Sequence, residues 1–381
     1  MVSAIDYVIE RGITIAADGA EFSGAPSYAS RSRNYTDTKT NSCSYPIDIE
    51  YSSYHATDAT IDPSNVLMAV SQPGYSYLVE DAVHYTTERM PEQDLREQVI
   101  LAMDYLLVQL GLEILNMIPG RVFVYVDPRV AYDYRGILLK ARKLMNMFEE
   151  HDVPRERVVI MIPATYPGIC AARALEEPTD PHHSSADDRP VCTNLTLVFG
   201  LVQAAACAQA HASQIFVFMG GVTDWALANN PSAPEDVGLN LVREIHARYV
   251  THRNRKTRVM VADFPTVTLT PTLLRELGSR RNIEVRAVRT IPSAGPVLGS
   301  NSSERTYILQ PGFSTDLEDA FMADLAREKT AVGKVPQAIN QLIEDVCILE
   351  EKIKVQLMLA RVKSSPTITG GWNIKFREVK L

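Results

Sequence analysis

Eight short apolar runs, nearly free of charge and separated by stretches of helical periodicity, set the tightest limit on how this chain folds. They lie at Ile13–Asp18 ("ITIAAD"), His55–Thr60, Arg121–Asp127 ("RVFVYVD"), Arg157–Ile162, Cys192–Leu197, Gln214–Met219, Arg258–Asp263 ("RVMVAD") and Val267–Thr270. A strand that alternates apolar and polar residues has one wet face. These runs have none, so they are expected as parallel strands covered on both faces. Helical patterns fall between them at about Pro91–Met117, Ala131–His151, Gly168–Leu175, Phe199–Ala212 and Val237–Val250. No GxGxxG follows the first run, and 381 residues suffice for a barrel of about 250 residues with additions. The expected fold class is therefore α/β, a closed (β/α)8 TIM barrel rather than an open doubly wound sheet.

One domain over residues 1–360 is expected, followed by a tail at 361–381. Its last helix, 336–360, repeats Ile339, Leu342, Ile343, Val346, Leu349 and Ile353 at helical spacing, a face that should pack across the barrel. A long segment between the first two strands, 19–54, carries Tyr28, Tyr35, Tyr45, Tyr51 and Tyr54. It leaves from a strand's C-terminal end and so is expected as a lid over the barrel mouth. A second insertion, "PTDPHHSSADDRP", offers His182, His183, Asp187 and Asp188, yet it follows a helix and precedes a strand. That places it on the face opposite the mouth, as a solvated loop rather than a catalytic metal site.

A formal charge of −8 argues against a nucleic-acid or anionic-membrane partner, since either would need a basic patch. The nearest candidate, "RNRK" at 253–256, is a solvated loop. Cys43, Cys170, Cys192, Cys207 and Cys347 form no CxxC pair and sit in apolar surroundings, as reduced thiols of a cytoplasmic protein do. The first residues, "MVSAIDYVIERG", lack a basic start and an apolar run, so no leader is expected.

Several stretches, in order, resemble transaldolase. They are "DATIDPSNVL" (58–67), "LGLEILNMIPGRVFVYVDPRVAYD" (110–133), "RVVIMIPATYPGICAARALE" (157–176), "CTNLTLVF" (192–199), "VTDW" (222–225), "TLTPTLLREL" (268–277) and the closing helix. The resemblance implies a single α/β barrel and a homodimer. It also implies a Schiff-base lysine on the fourth strand, in an "IKLAST"-like run. The matching residue here is Met161, and a thioether has no amine to condense with a carbonyl. By the same matching, the family's acid/base glutamate becomes Tyr125, its strand-six serine becomes Phe216 and a nearby arginine becomes Gly221. The strand-seven "SFR" becomes "DFP", putting Asp263 at the serine and Pro265 at the phosphate-binding arginine, with little room for a seventh helix before the eighth strand. Asp18, Asn194 and Thr196 keep the family's residues, and Asp62 stands for its asparagine.

Without the arginine pair, nothing supplies bidentate donors for a sugar phosphate, so an unphosphorylated small molecule is the expected partner. The mouth is expected to be lined by Asp18, Asp62, Tyr125, Asn194 and Asp263 as candidate catalytic groups. Thr60, Met161, Thr165, Thr196 and Phe216 are expected to contact the substrate. Two neighbouring carboxylates would hold one proton between them, which suits lyase, dehydratase, isomerase or cyclase chemistry with no cofactor and no covalent intermediate. Three alternatives stand beside this: a divalent metal on Asp18, Asp62, Asp263 and Asn194, a relocated Schiff-base lysine such as Lys39, and a non-catalytic binding or regulatory protein. Structurally, each aspartate can equally serve as a helix cap.

Overall fold

The computed structural model describes residues 57–177, 189–262 except 235, 253 and 255, then 305–308 and 312–364, together with the backbone of strand segments at 16–18 and 268–269. The lid segment 19–54, the loop 178–188 with its histidines, Asp263, Pro265, Lys39, Cys43 and the tail 365–381 lie outside the described residues.

The strands are β1 (Ala16–Asp18), β2 (Asp58–Ile61), β3 (Val122–Tyr125), β4 (Val158–Pro163), β5 (Thr193–Val198), β6 (Gln214–Phe218), β7 (Arg258–Ala262) and β8 (Thr268–Leu269). They form one eight-stranded sheet in the order β7-β6-β5-β4-β3-β2-β1-β8, and every ladder is parallel. Strands that follow chain order, with the last returning beside the first, have the connectivity of a (β/α)8 barrel. Between β7 and β8 no ladder is formed among the described residues, and the ladders that are described give a curled parallel sheet in the strand order of the expected barrel.

Side-chain alternation then sorts the strand residues into two environments. Val122, Val124, Val158, Ile160, Ile162, Leu195, Ile215 and Val217 point outward and join the helices in the main core. Phe123, Tyr125, Val159 and Met161 form a separate inner cluster with Cys192, Met260 and Leu342 against it. Both faces of β2 to β5 are thus dry, which is why those runs show no polar alternation.

The helices are α1 (Pro63–Ser71), α2 (Ser76–Arg89), α3 (Leu95–Leu115), α4 (Tyr134–Glu149), α5 (Tyr166–Glu176), α6 (Leu201–Gln209), α7 (Met219–Asn229), α8 (Val237–Thr251), α9 (Thr315–Leu325) and α10 (Lys329–Ser364). Expected from Pro91, α3 starts later because the Asp94 carboxylate accepts from Glu97 N at 2.9 Å and fixes the first turn there. At its other end the Arg157 guanidinium donates to the carbonyls of Leu115, Ile118 and Gly120, which a helix terminus leaves without partners. Its length and apolarity are those of a membrane span, but most of that stretch is buried inside the protein.

At the N-terminal ends of β5 and β6, the Glu176 carboxylate accepts from the backbone N–H and hydroxyl of both Thr193 and Ser213, at 2.7–2.8 Å. That end of the sheet is braced. The opposite end is where α10 crosses.

The closing helix is longer than expected, running from Lys329 and carrying Pro336 inside it. Ile339, Val346, Leu349 and Ile353 are buried as their spacing required. Three polar ties hold it: Ser64 of α1 donates to Asp345, Arg129 pairs with Glu350, and Arg361 donates to Gln98 Oε1 and, at 2.9 Å, to the Gln93 carbonyl. Leu342 reaches from this helix to the inner cluster.

Candidate functional site

Strand register lines up the residues that matter. Tyr125 on β3 sits beside Met161 on β4, Met161 beside Asn194 on β5, and Asn194 beside Gln214 on β6. All four are at most 4% exposed. Tyr125 Oη, Asn194 Oδ1 and Gln214 Oε1 are buried with no hydrogen-bond partner. An unsatisfied buried polar atom costs about 1–3 kcal/mol, so three on register-neighbouring positions make this row the candidate place for polar atoms from elsewhere.

The electrostatics of the row are those of neutral groups. Burial pushes the Tyr125 phenol well above its ordinary range, and the nearby Asp62 charge pushes it further the same way. Tyr125 is therefore a protonated donor at neutral pH. Asn194 Nδ2 lies 3.4 Å from Met260 Sδ, a weak acceptor, which leaves its carbonyl oxygen free to accept. Met161, 3% exposed between these two, supplies a polarisable apolar contact and no charge.

The remaining expected residues divide. Thr60, 2% exposed on β2, is in register with Asp18 on one side and with Phe123 on the other. Thr196 is buried on β5 beside Pro163. Phe216 is buried on β6, its ring 5.3 Å from that of Phe218. Two of the expected residues carry helix caps. Asp62 caps α1: its Oδ1 accepts from Asn65 N at 2.8 Å while Asn65 Oδ1 accepts from Asp62 N at 3.0 Å, with Pro63 at the first helical position. Its carboxylate serves the helix terminus, where the dipole favours a negative charge. Thr165, expected to touch the substrate, instead caps α5 by accepting from Gly168 N at 3.1 Å and donates its hydroxyl to the Ala131 carbonyl. The side chains of Asp18 and Asp263 lie outside the described residues.

Gln214 was not anticipated. Its signal in the sequence was a glutamine opening the run "QIFVF", at a position whose parity with Phe216 turns it inward. No group of three metal-capable side chains exists among the described residues.

This geometry coincides with a clear set of relatives. The family model described as transaldolase/fructose-6-phosphate aldolase matches residues 46–274. The chain belongs to the transaldolase family. It is 38% identical over 321 residues to transaldolase B of Pasteurella multocida, covering 80% of this chain and 91% of that protein. A probable transaldolase of Dictyostelium discoideum is 31% identical over 318 residues, covering 80% and 92%, and the transaldolase of Schizosaccharomyces pombe is 34% identical over 319, covering 80% and 91%. Within this transaldolase-family barrel, the C-terminal halves of β3 to β5 present Tyr125, Met161 and Thr196 at the end of the sheet where such folds place their chemistry, with Asn194 nearer the start of β5.

Proposed function

We propose that this transaldolase-family protein binds an unphosphorylated carbonyl compound inside the barrel and acts on it without a Schiff base, by proton transfer of the lyase or isomerase type. The observation that carries this is the row Tyr125–Met161–Asn194–Gln214, which holds three unpartnered neutral polar atoms and no amine. A ketone oxygen placed at Tyr125 Oη would accept a hydrogen bond from a phenol that burial keeps protonated, in a dry site where such a bond is strongest. That polarises the carbonyl and acidifies the adjacent C–H. A carboxylate takes the proton, and Asp18 and Asp263, at the ends of β1 and just past β7, are its candidates; Asp62 remains the helix cap. The enolate oxygen is held by Tyr125, and the proton passes from the carboxylate to a different carbon or to a departing hydroxyl, which leaves as water. The four residues of the row carry no cation, and Arg258, in register with Gln214, stands at the N-terminal end of β7, away from the mouth. A cytoplasmic homodimer is part of the same reading, and it is supported by family membership alone.

The test is proton exchange in D2O. The protein incubated with unphosphorylated ketones should speed deuterium entry at the carbon beside the carbonyl, and Tyr125→Phe should abolish that exchange. Exchange that survives Tyr125→Phe unchanged would remove Tyr125 from the chemistry. Binding of ketone with no exchange by either protein would favour the alternative of a binding or regulatory barrel, which the same row serves equally well.

A further inference from the structure

Resting on the reading that Tyr125 holds a carbonyl, we infer that a small apolar cavity beside Tyr125, bounded on one side by α10, receives an alkyl arm of the ligand, so that the substrate class is a short-chain ketone with an unhydroxylated arm. The cavity measures about 50 Å³. Its apolar walls are Val66 of α1, Met103 and Leu107 of α3, Leu144 of α4, and Val346 and Leu349 of α10. Tyr125, the last residue of β3, lines it as well, which sets the cavity at the C-terminal end of that strand. Tyr125 therefore borders two spaces, since it also belongs to the inner cluster. Its hydroxyl has no partner, and the charge that acts on it is that of Asp62, which directly precedes the cavity-lining Pro63. A carbonyl held at that hydroxyl thus has the cavity beside it.

The lining decides what enters. Its charged side chains answer one another: Asp104 is paired with Lys140 at 2.6 Å and with Lys143 at 2.9 Å, and Arg129 with Asp127 at 2.7 Å and with Glu350. An ionic group would have to break one of these pairs, and a hydroxyl would give up water for hydrocarbon walls. An alkyl group loses nothing and takes its own surface out of water. Size then sets the length of the arm. A cavity of about 150 Å³ takes a benzene ring, so one of about 50 Å³ has room for about two carbons. The carbon next to the carbonyl stays at the reacting centre, and the two beyond it enter the cavity. Each should tighten binding about fourfold.

The test is a series of methyl ketones from propanone to heptan-2-one, with affinities taken by ligand-observed NMR. It is run on the wild type, on Val346→Leu and Val66→Leu, which each fill the cavity by one methylene, and on Leu107→Ala, which enlarges it. Wild-type affinity should rise about fourfold per carbon up to pentan-2-one and gain nothing at hexan-2-one. The filling variants should end the rise at butan-2-one with Tm unchanged or higher, as filling a void does, and Leu107→Ala should carry it to hexan-2-one at a lower Tm. Shifts of the limit in opposite directions do not come from a general loss of stability. A flat wild-type series, a rise that continues to heptan-2-one, or a limit that both filling variants leave in place overturns the arm pocket while the carbonyl site stands. If the wild type binds none of the ketones, or Tyr125→Phe binds them as tightly, the proposed function falls and takes the pocket with it.

Discussion

Tyr125 illustrates how position rather than residue type sets chemistry. On a surface a phenol is an ordinary hydrogen-bonding group, but at 4% exposure and beside the Asp62 charge its ionisation is suppressed, and with no partner its hydroxyl is a cost to the fold. Tyr125→Phe should therefore leave Tm unchanged or raise it slightly, while ketone binding and exchange are lost. A clear fall in Tm would mean that the hydroxyl has a structural partner. Glu177 shows the opposite behaviour. Lys256 and His211 hydrogen-bond it and Arg173 lies close, so its carboxyl is held down at about 2. A depressed acid stabilises the fold above the unfolded pKa and loses that contribution as pH falls through the folded one. Glu177→Gln should thus cost about 1 kcal/mol at pH 7, the range of partly exposed ion pairs, and clearly less at pH 2, where half of the folded carboxyl is protonated. Equilibrium unfolding at the two pH values measures this, and an equal loss at both would contradict it.

At the scale of elements, most of the fold was legible because burial on both faces leaves a mark that survives in sequence. The runs around Val122–Tyr125 and Val158–Pro163 carry no charge, and they are strands. The Asp62 cap was legible as one of two readings of that aspartate: it precedes Pro63 and stands three residues before Asn65, a capping box with proline at the first turn. Residue-by-residue resemblance drew attention to its carboxylate as chemistry, while the local pattern made it a cap. Asp62→Asn should keep the Tm, since asparagine caps as well as aspartate, and Asp62→Ala should cost about 1 kcal/mol. Equal losses from both would mean that the charge itself is what the site needs. Gln214 was overlooked because a single glutamine opening an apolar run stands out little; its parity with Phe216 turns it inward, and the register of β6 against β5 sets it beside Asn194.

For the whole molecule, the feature that ties fold to site is α10. It packs on α1, α2, α3 and α7 and on β5, and Leu342 sets an apolar side chain against the inner cluster. A second clasp lies just before it. Glu328, between α9 and α10, accepts from Leu201 N at 2.8 Å and Val202 N at 3.1 Å, filling the N-terminus of α6 with the protein's own carboxylate. Packing and individual polar ties thus together hold α10 across the sheet. Arg129→Ala, which removes the tie to Glu350, should raise hydrogen exchange along α10 and leave that of β3 to β5 unchanged. Uniform loss of protection would show instead that α10 is part of the folding core.

The central claim is that this barrel works without a lysine at its fourth strand. Its most direct test is borohydride trapping with phosphorylated and unphosphorylated ketoses, read by intact mass, on the natural protein and on Met161→Lys. The account predicts no adduct on the natural protein and an adduct on the variant, since the barrel would then offer an amine in the row between Tyr125 and Asn194. An adduct on the natural protein, mapped to any lysine of the chain, would contradict it.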